Sequence, residues 1–247
     1  RTDRFVPVRI AVLSDIHSNL VALDAVLAKV GAVDAIWHLG DVVGYCAQPD
    51  EVVERLSSLG ATGVRGNHDA AAVGATDISW FNPEARAAME WTQAAISEPT
   101  RTWLAALPQR RSEGDFTLVH GSPRDPTWEY VTSAALARAG LSAIPTEHGL
   151  HGHTHVPIAF TEVDGRMRTL APRAGNTVAL GEGRTLLNPG SVGQPRDGDP
   201  RASYLVLDTE ARTATWGRVT YDIDAVGSMI RAAGLPARLA ERLRVGA

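Results

Sequence analysis

Short apolar runs and helix-spaced apolar stripes alternate through the first half of the chain. Residues 8–13 form an apolar run broken only by Arg9, the mark of a strand buried on both faces. Asn19 can cap the helix that follows, in which Leu20, Leu23, Val26, Leu27 and Val30 recur at helical spacing, and Gly31 stops it. Residues 34–39 predict a second strand. Pro49 opens a second helix with Val52, Val53 and Leu56 as its apolar stripe, and Gly60 ends it. Residues 62–65 predict a short third strand. Asn82 then caps a helix with Pro83 at its first position, continuing over residues 85–96, and another helix around 100–107 ends at Pro108. Residues 116–120 return to strand, and 132–139 predict a helix.

The character changes after His155. Residues 156–163, 167–170, 177–180, 185–188, 203–208 and 213–219 predict short strands. Asp164-Gly165 and Gly181-Glu182-Gly183 read as hairpin turns between some of them. Helices over 223–233 and 237–245 close the chain. No repeat, low-complexity tract or linker interrupts it. One domain over residues 1–247, with a helical insertion at about 80–108, fits this pattern as two packed sheets with outer helices.

Five polar segments break the pattern: Asp15-Ile16-His17, Gly40-Asp41, Gly66-Asn67-His68-Asp69, His120-Gly121 and Gly152-His153-Thr154-His155. Four of the five directly follow a strand-like run, and a strand that ends in a polar residue projects it from the rim of a sheet. Five of the chain's eight histidines lie in these segments. Asp15 and His17 offer an oxygen and an imidazole from one turn, Asp41 a carboxylate able to bridge two cations, and Asn67 a neutral oxygen. His120, His153 and His155 offer nitrogen. Such a mixed oxygen and nitrogen set without thiolate suits Mn²⁺, Fe or Zn²⁺ better than a structural zinc site built on cysteine.

Composition narrows the partners. With 44% apolar and 21% charged residues the chain is ordinary for a globular protein. A formal charge of −4 gives no general attraction to nucleic acid or an anionic membrane. No stretch approaches the roughly 20 apolar residues that span a bilayer. The opening Arg-Thr-Asp-Arg-Phe-Val lacks the apolar core of a signal peptide. Cys46 is the one cysteine, so no internal disulfide forms, and a reducing cytoplasm is the expected compartment.

Asp15-x-His17, Gly40-Asp41, Gly66-Asn67-His68-Asp69, His120 and Gly152-His153-x-His155 together resemble the signature of the calcineurin-like metallophosphoesterases. The elements stand in that family's order, over roughly residues 9–207. The resemblance implies an α/β (α+β) fold: a four-layer αββα sandwich, two mixed β-sheets flanked by helices. It implies two divalent metal ions, Mn²⁺ first, with Fe, Zn²⁺ or Ni²⁺ as alternatives. Asp15, His17 and His155 would hold one and Asn67, His120 and His153 the other, with Asp41 bridging. A hydroxide between the ions would attack phosphorus, and His68, off the metals, would meet the phosphate and protonate the leaving oxygen.

The same resemblance points away from one branch. Protein Ser/Thr phosphatases of this superfamily carry Asp-Arg-Gly a few residues after the Gly-Asp, where this chain has Gly44-Tyr45-Cys46. That favours the small bacterial branch and a phosphodiester or small phosphomonoester as substrate. A dinucleoside polyphosphate hydrolase is the alternative enzyme. A non-catalytic scaffold, like the retromer subunit of this fold, is opposed by the presence of His68. Asp69 is the nearest sequence candidate to orient His68.

The remaining candidates are weaker. Arg124, just past His120, reads either as a substrate contact or as an ordinary surface arginine. Arg196 lies in a turn-rich loop, residues 188–201, that resembles one bordering the site in bacterial members; it reads as an anion contact or a solvated residue. His38 is expected to be buried and hydrogen-bonded, His148 exposed, and His151 to support the ligands or pack in a strand. Cys46 is expected to be a small buried thiol. Trp80, Phe81, Met89 and Trp91 read as core packing, with a substrate wall as the alternative.

Overall fold

The computed structural model describes residues 8–247. The opening segment weighed above as a signal peptide lies outside them. The first sheet contains β1 (Arg9–Leu13), β2 (Ala35–His38), β3 (Thr62–Gly63), β9 (Thr177–Ala179), β11 (Ala202–Asp208) and β12 (Thr213–Val219), in the order β3-β2-β1-β11-β12-β9. The second contains β4 (Arg110–Glu113), β5 (Phe116–Val119), β6 (His148–Leu150), β7 (Ile158–Val163), β8 (Arg166–Leu170) and β10 (Arg184–Asn188), in the order β4-β5-β6-β10-β7-β8. Both are mixed. β1, β2 and β3 run parallel while β11 opposes β1, and β5, β6 and β10 run parallel while β4 opposes β5 and β7 opposes β10.

The alternation within β1 explains its apolar run. Ile10 and Val12 face the second sheet, in a layer with Trp37, Leu118, Leu187 and Trp216. Ala11 and Leu13 face the other way, toward α1 (Leu20–Val30) and α2 (Pro49–Ser58) through Leu23, Val26, Val52 and Leu56. That outer layer also holds α3 (Asn67–Ala72), α4 (Pro83–Ala95), α5 (Glu98–Ala106), α7 (Ile223–Ala232) and α8 (Ala237–Leu243). Beyond the second sheet, α6 (Ala134–Ser142) packs Ala137 and Leu141 on Phe160 and Leu186. The result is the four-layer αββα sandwich that the resemblance implied. No helix among the described residues is long and apolar enough to cross a membrane.

The predicted caps are present. Asn19 Oδ1 accepts from the Ala22 N–H at 3.0 Å, and Asn82 Oδ1 from the Ala85 N–H at 2.9 Å. Asp164 and Gly165, both with positive φ, make the turn between β7 and β8.

Other expectations are corrected. Gly181-Glu182-Gly183 joins β9 to β10, which belong to different sheets, so it is a crossing between layers and not a hairpin. The polar edge strand β4 and the six-residue α3 had no apolar periodicity to announce them. His148 is buried, not exposed: it starts β6, and its Nδ1 meets Thr185 Oγ1 at 2.9 Å. His38 is buried as expected, yet neither ring nitrogen has a hydrogen-bond partner; the ring stacks on Trp103, centroids 5.5 Å apart.

Candidate metal centre

Parallel strands of both sheets end at one rim, and the polar segments sit there. Five of the predicted ligands are held at positive φ: Asp15 at 51°, His17 at 49°, Asp41 at 51°, His153 at 65° and His155 at 60°. Side chains other than glycine seldom adopt that region, and strained backbone persists only where neighbours enforce it. Here backbone hydrogen bonds do so, from Asp15 N to Gly40 O at 3.1 Å, His17 N to Asp41 O at 3.0 Å and Gly193 N to Asp15 O at 3.0 Å. Packing is tight enough that a Cβ on Gly66 would lie 2.1 Å from Asp41 Oδ1.

The side chains form two groups that share Asp41: Asp15, His17, Asp41 and His155 in one, and Asp41, His120 and His153 in the other, each with ligand atoms within 4.8 Å of one another. Asp41 Oδ2 is 3.7 Å from His17 Nε2 and 3.3 Å from His120 Nε2, so one oxygen stands between the groups. Asn67 Oδ1 joins the second group, 3.0 Å from His120 Nε2.

The donor chemistry fits cations. Nδ1 of His17, His120 and His155 is spent on the carbonyls of Val43 (3.1 Å), Leu39 (2.8 Å) and Gln194 (2.6 Å). As donors to carbonyls these nitrogens carry the protons, which leaves each Nε2 a lone pair. The lone pairs of His17 and His155 point at each other, their Nε2 atoms 3.1 Å apart, and His120 Nε2 stands 3.0 Å from His153 Nδ1. Asp15 Oδ2 accepts from Ser14 Oγ at 2.6 Å and the His153 N–H at 3.1 Å, while its buried Oδ1 has no hydrogen-bond partner. Acceptors facing acceptors in a buried site are satisfied by metal ions.

The electrostatics agree. Burial pushes His17 well below its usual range, and takes His153 down to about 3. His120 goes the other way: burial opposes its charge, but Asp41 prevails and raises it to about 9. Asp41 is held well below the usual carboxylate range, since His120 and His68 outweigh its burial. Without metal, the positive charge gathers beside Asp41, where the two groups meet.

The model of the calcineurin-like phosphoesterase superfamily domain matches residues 8–212. The chain belongs to this superfamily. Superfamily members use dinuclear metal sites, and the clustered His and Asp residues described above are the counterpart in this chain. It is 43% identical to a metallophosphoesterase from Sphaerobacter thermophilus, whose crystal structure superposes with a TM-score of 0.90 over 98% of this chain and 100% of that one. It is 36% identical to an uncharacterised protein of Methanocaldococcus jannaschii, over 96% of this chain and 98% of the relative. A hypothetical protein from Pyrococcus horikoshii, at 22% identity, shares the fold with a TM-score of 0.79 over 97% and 98% of the two chains.

His68 stands beside this superfamily centre without joining either group. Its ring lies 4.9 Å from His17, 4.6 Å from Tyr45 and 5.0 Å from Phe81, centroid to centroid. Its backbone N–H donates to Asp41 Oδ1 at 2.8 Å. Nδ1 is buried with no partner, and a Cβ on Gly44 would come within 2.6 Å of it. There is thus no room for a side chain where the protein phosphatases carry Asp. Asp69 does not orient the ring: its carboxylate accepts from Val42 N–H at 2.8 Å, Val43 N–H at 3.2 Å and Gly66 N–H at 2.9 Å. Packing orients His68 instead. Burial lowers its pKa to about 4 against the pull of Asp41.

Around the rim, Arg196 donates to Gln194 Oε1 at 2.8 Å, and its charge bears on His68 and His155. Arg124 is engaged with Glu129 at 3.0 Å. His151 is buried and meets Asn188, 3.3 Å away, whose amide also donates to Gly152 O at 2.7 Å, so this pair braces the His153 turn. Cys46 is a buried thiol, pushed up to about 12.

Of the aromatic set, Met89 is core, Trp91 packs against that core half-buried, Trp80 is exposed and Phe81 faces His68. Sequence reasoning missed Tyr130, stacked on His153 with centroids 4.0 Å apart, and Ser14 behind Asp15. Nothing in their local sequence marks either one.

Proposed function

We propose that the chain is a dimetal-dependent phosphoesterase acting on phosphodiesters or small phosphomonoesters. The observation that carries this reading is the shared oxygen, Asp41 Oδ2, between two groups of side chains able to ligate a metal ion, with His68 held beside them and outside both. Asp15, His17, His155 and Asp41 would hold one ion, and Asp41, Asn67, His120 and His153 the other. Bound divalent ions supply neutralisation of phosphate charge and an acidified water. Mn²⁺ is the proposed metal, with Fe, Zn²⁺ or Ni²⁺ able to use the same donors.

The chain's own residues do the rest. Nδ1 of His68 is buried against Gly44, which leaves Nε2 to face the substrate. Burial keeps the ring neutral in the free site. An anionic phosphate against Nε2 would supply the counter-charge that favours the imidazolium, which then gives its proton to the leaving oxygen. Arg196 would contact the substrate's anionic part from the loop after β10, and Arg124 would reach it only after releasing Glu129.

A second reading, a dinucleoside polyphosphate hydrolase, is favoured by the aromatic rim. Phe81 and Trp128 meet edge to face at 6.2 Å, and Trp128 and Tyr130 are each a little under half exposed beside the centre, where a nucleobase could stack. A small phosphoester partner, no membrane and a cytoplasmic setting complete the proposal, and nothing indicates nucleic acid.

The test is turnover of bis(p-nitrophenyl) phosphate, p-nitrophenyl phosphate and a dinucleoside polyphosphate by the protein loaded with each metal in turn. Hydrolysis of the first two supports the main reading, and exclusive hydrolysis of the third supports the second. No turnover of any, with every metal, overturns both in favour of a scaffold.

A further inference from the structure

The loop after β10 and the last helix bring two arginines to one aromatic ring. The guanidinium of Arg196 lies 5.7 Å from the Tyr45 ring centroid and that of Arg242 lies 6.0 Å from it. Tyr45 is buried, and its ring packs on His17 at 4.7 Å and on His68 at 4.6 Å. Two positive charges therefore stand one ring away from the metal centre. Burial and the charge of Arg196 both hold Arg242 below its usual pKa. Like charges in a partly desolvated place are unfavourable until an anion compensates them.

Among the described residues, the acidic side chains do not supply that anion. Asp197 is taken by Arg218, Asp199 by Arg201 at 2.6 Å, and Glu84 by Arg238 at 3.3 Å. Among the described residues, no Asp or Glu side chain lies within ion-pair distance of Arg196 or Arg242. Arg196 turns to the neutral Gln194 and, at 3.5 Å, to the Tyr45 hydroxyl. Arg242 uses Nε on the Ala247 O, and its terminal amines have no hydrogen-bond partner among the described residues. The position of Arg242 is built in. The Gly198 N–H donates to Gly246 O at 2.9 Å, tying the end of α8 to the loop that carries Arg196. Gly246 has a φ of 63°, and a Cβ there would come within 2.7 Å of the Asp199 backbone.

We propose that Arg196 and Arg242 form a second anion subsite, which takes a phosphate of the substrate other than the one attacked. The proposal rests on the phosphoesterase reading for the word substrate, and it deepens that reading: the preferred esters carry two or more phosphate groups. Arg242 has both terminal amines open and Arg196 keeps Nη1 open, and guanidinium groups match phosphate oxygens in the way Arg favours. Arg242 lies in α8, outside the family-matched residues 8–212, so selectivity here comes from a part of the chain the superfamily signature does not contain.

The experiment is calorimetric titration of the Mn²⁺-loaded full chain with inorganic pyrophosphate and with inorganic phosphate, at one fixed free Mn²⁺ concentration. The wild-type protein should bind pyrophosphate at least tenfold more tightly than phosphate. Arg242→Gln should reduce that ratio below threefold, and Arg242→Lys should restore part of it. Arg238→Gln, on the same helix but paired to Glu84, should keep the wild-type ratio. A ratio unchanged in Arg242→Gln, with an unchanged melting curve, overturns the subsite, as does an equal fall in Arg238→Gln. Because binding is read without turnover, a wild-type preference lost in Arg242→Gln stands even if no ester is hydrolysed. Turnover with an unaltered ratio sinks the subsite alone.

Discussion

At His68 the local packing separates two jobs that histidines share in this centre. Three of the four predicted ligand histidines, His17, His120 and His155, have Nδ1 fixed on a carbonyl and Nε2 turned into the candidate centre, whereas His68 has its Nδ1 walled in by Gly44 and no carbonyl to hold it. Removing its ring leaves all seven predicted ligands intact. His68→Ala should thus keep metal content near wild type, measured by elemental analysis, while kcat falls by roughly 10²–10⁴-fold, the usual worth of a general acid. Loss of metal along with activity would make His68 a ligand and refute the division of labour.

The candidate ligand positions were legible in the sequence because each lies a few residues past the end of a strand. The orientation of His68 was not, because Tyr45, Phe81 and His17 reach it from three different segments.

Asp69 shows how an element is tied to its neighbours. It lies in the first turn of the short α3, and its carboxylate gathers three backbone N–H groups, two from the turn after β2 and one from Gly66. In Asp69→Asn the amide NH₂ must face one of those donors, so a buried N–H loses its acceptor. A loss of about 2 kcal/mol is expected, read as a lower urea midpoint at constant m.

Between β2 and α5, His38 has neither ring nitrogen paired, and burial lowers its pKa to about 3, with Arg111 adding to the effect. The unfolded chain takes up a proton near the ordinary value of 6.5 and the folded one does not, so stability must fall as pH drops below 6.5. Between pH 7.5 and pH 5 this one group accounts for a loss of about 2 kcal/mol. Urea unfolding at both pH values should show the fall reduced by that amount in His38→Gln; equal falls would refute it.

The elements read correctly from sequence were those with a clean period. β1 and α1 bury whole faces, while β4, Arg-Arg-Ser-Glu at a sheet edge, has no apolar face to show. The layer crossing at Gly181-Glu182-Gly183 looks like a hairpin because turn residues record only a change of direction, not which sheet the next strand joins.

At the scale of the molecule, the centre is a joint between the two sheets. Asp15, His17 and Asp41 stand in loops of the first sheet and Asn67 opens α3 just after β3, while His120, His153 and His155 stand in loops of the second. Nε2 of His17 and Nε2 of His155 oppose one another across the interface at 3.1 Å. Ions would turn that repulsion into a clamp, and binding to the folded state alone stabilises it by mass action. With free metal at a hundred times its dissociation constant the gain is about 2.7 kcal/mol. For a chain of this size that corresponds to a rise in Tm of about 5–11 °C over the chelated protein. Asp41→Asn should remove most of the rise, since it weakens both groups at once, whereas Arg124→Gln should leave it intact. Hydrogen exchange should slow on metal addition in the rim loops of both sheets together. Protection confined to the loops of one sheet, or a Tm indifferent to chelator, would mean that the two groups do not act as one centre.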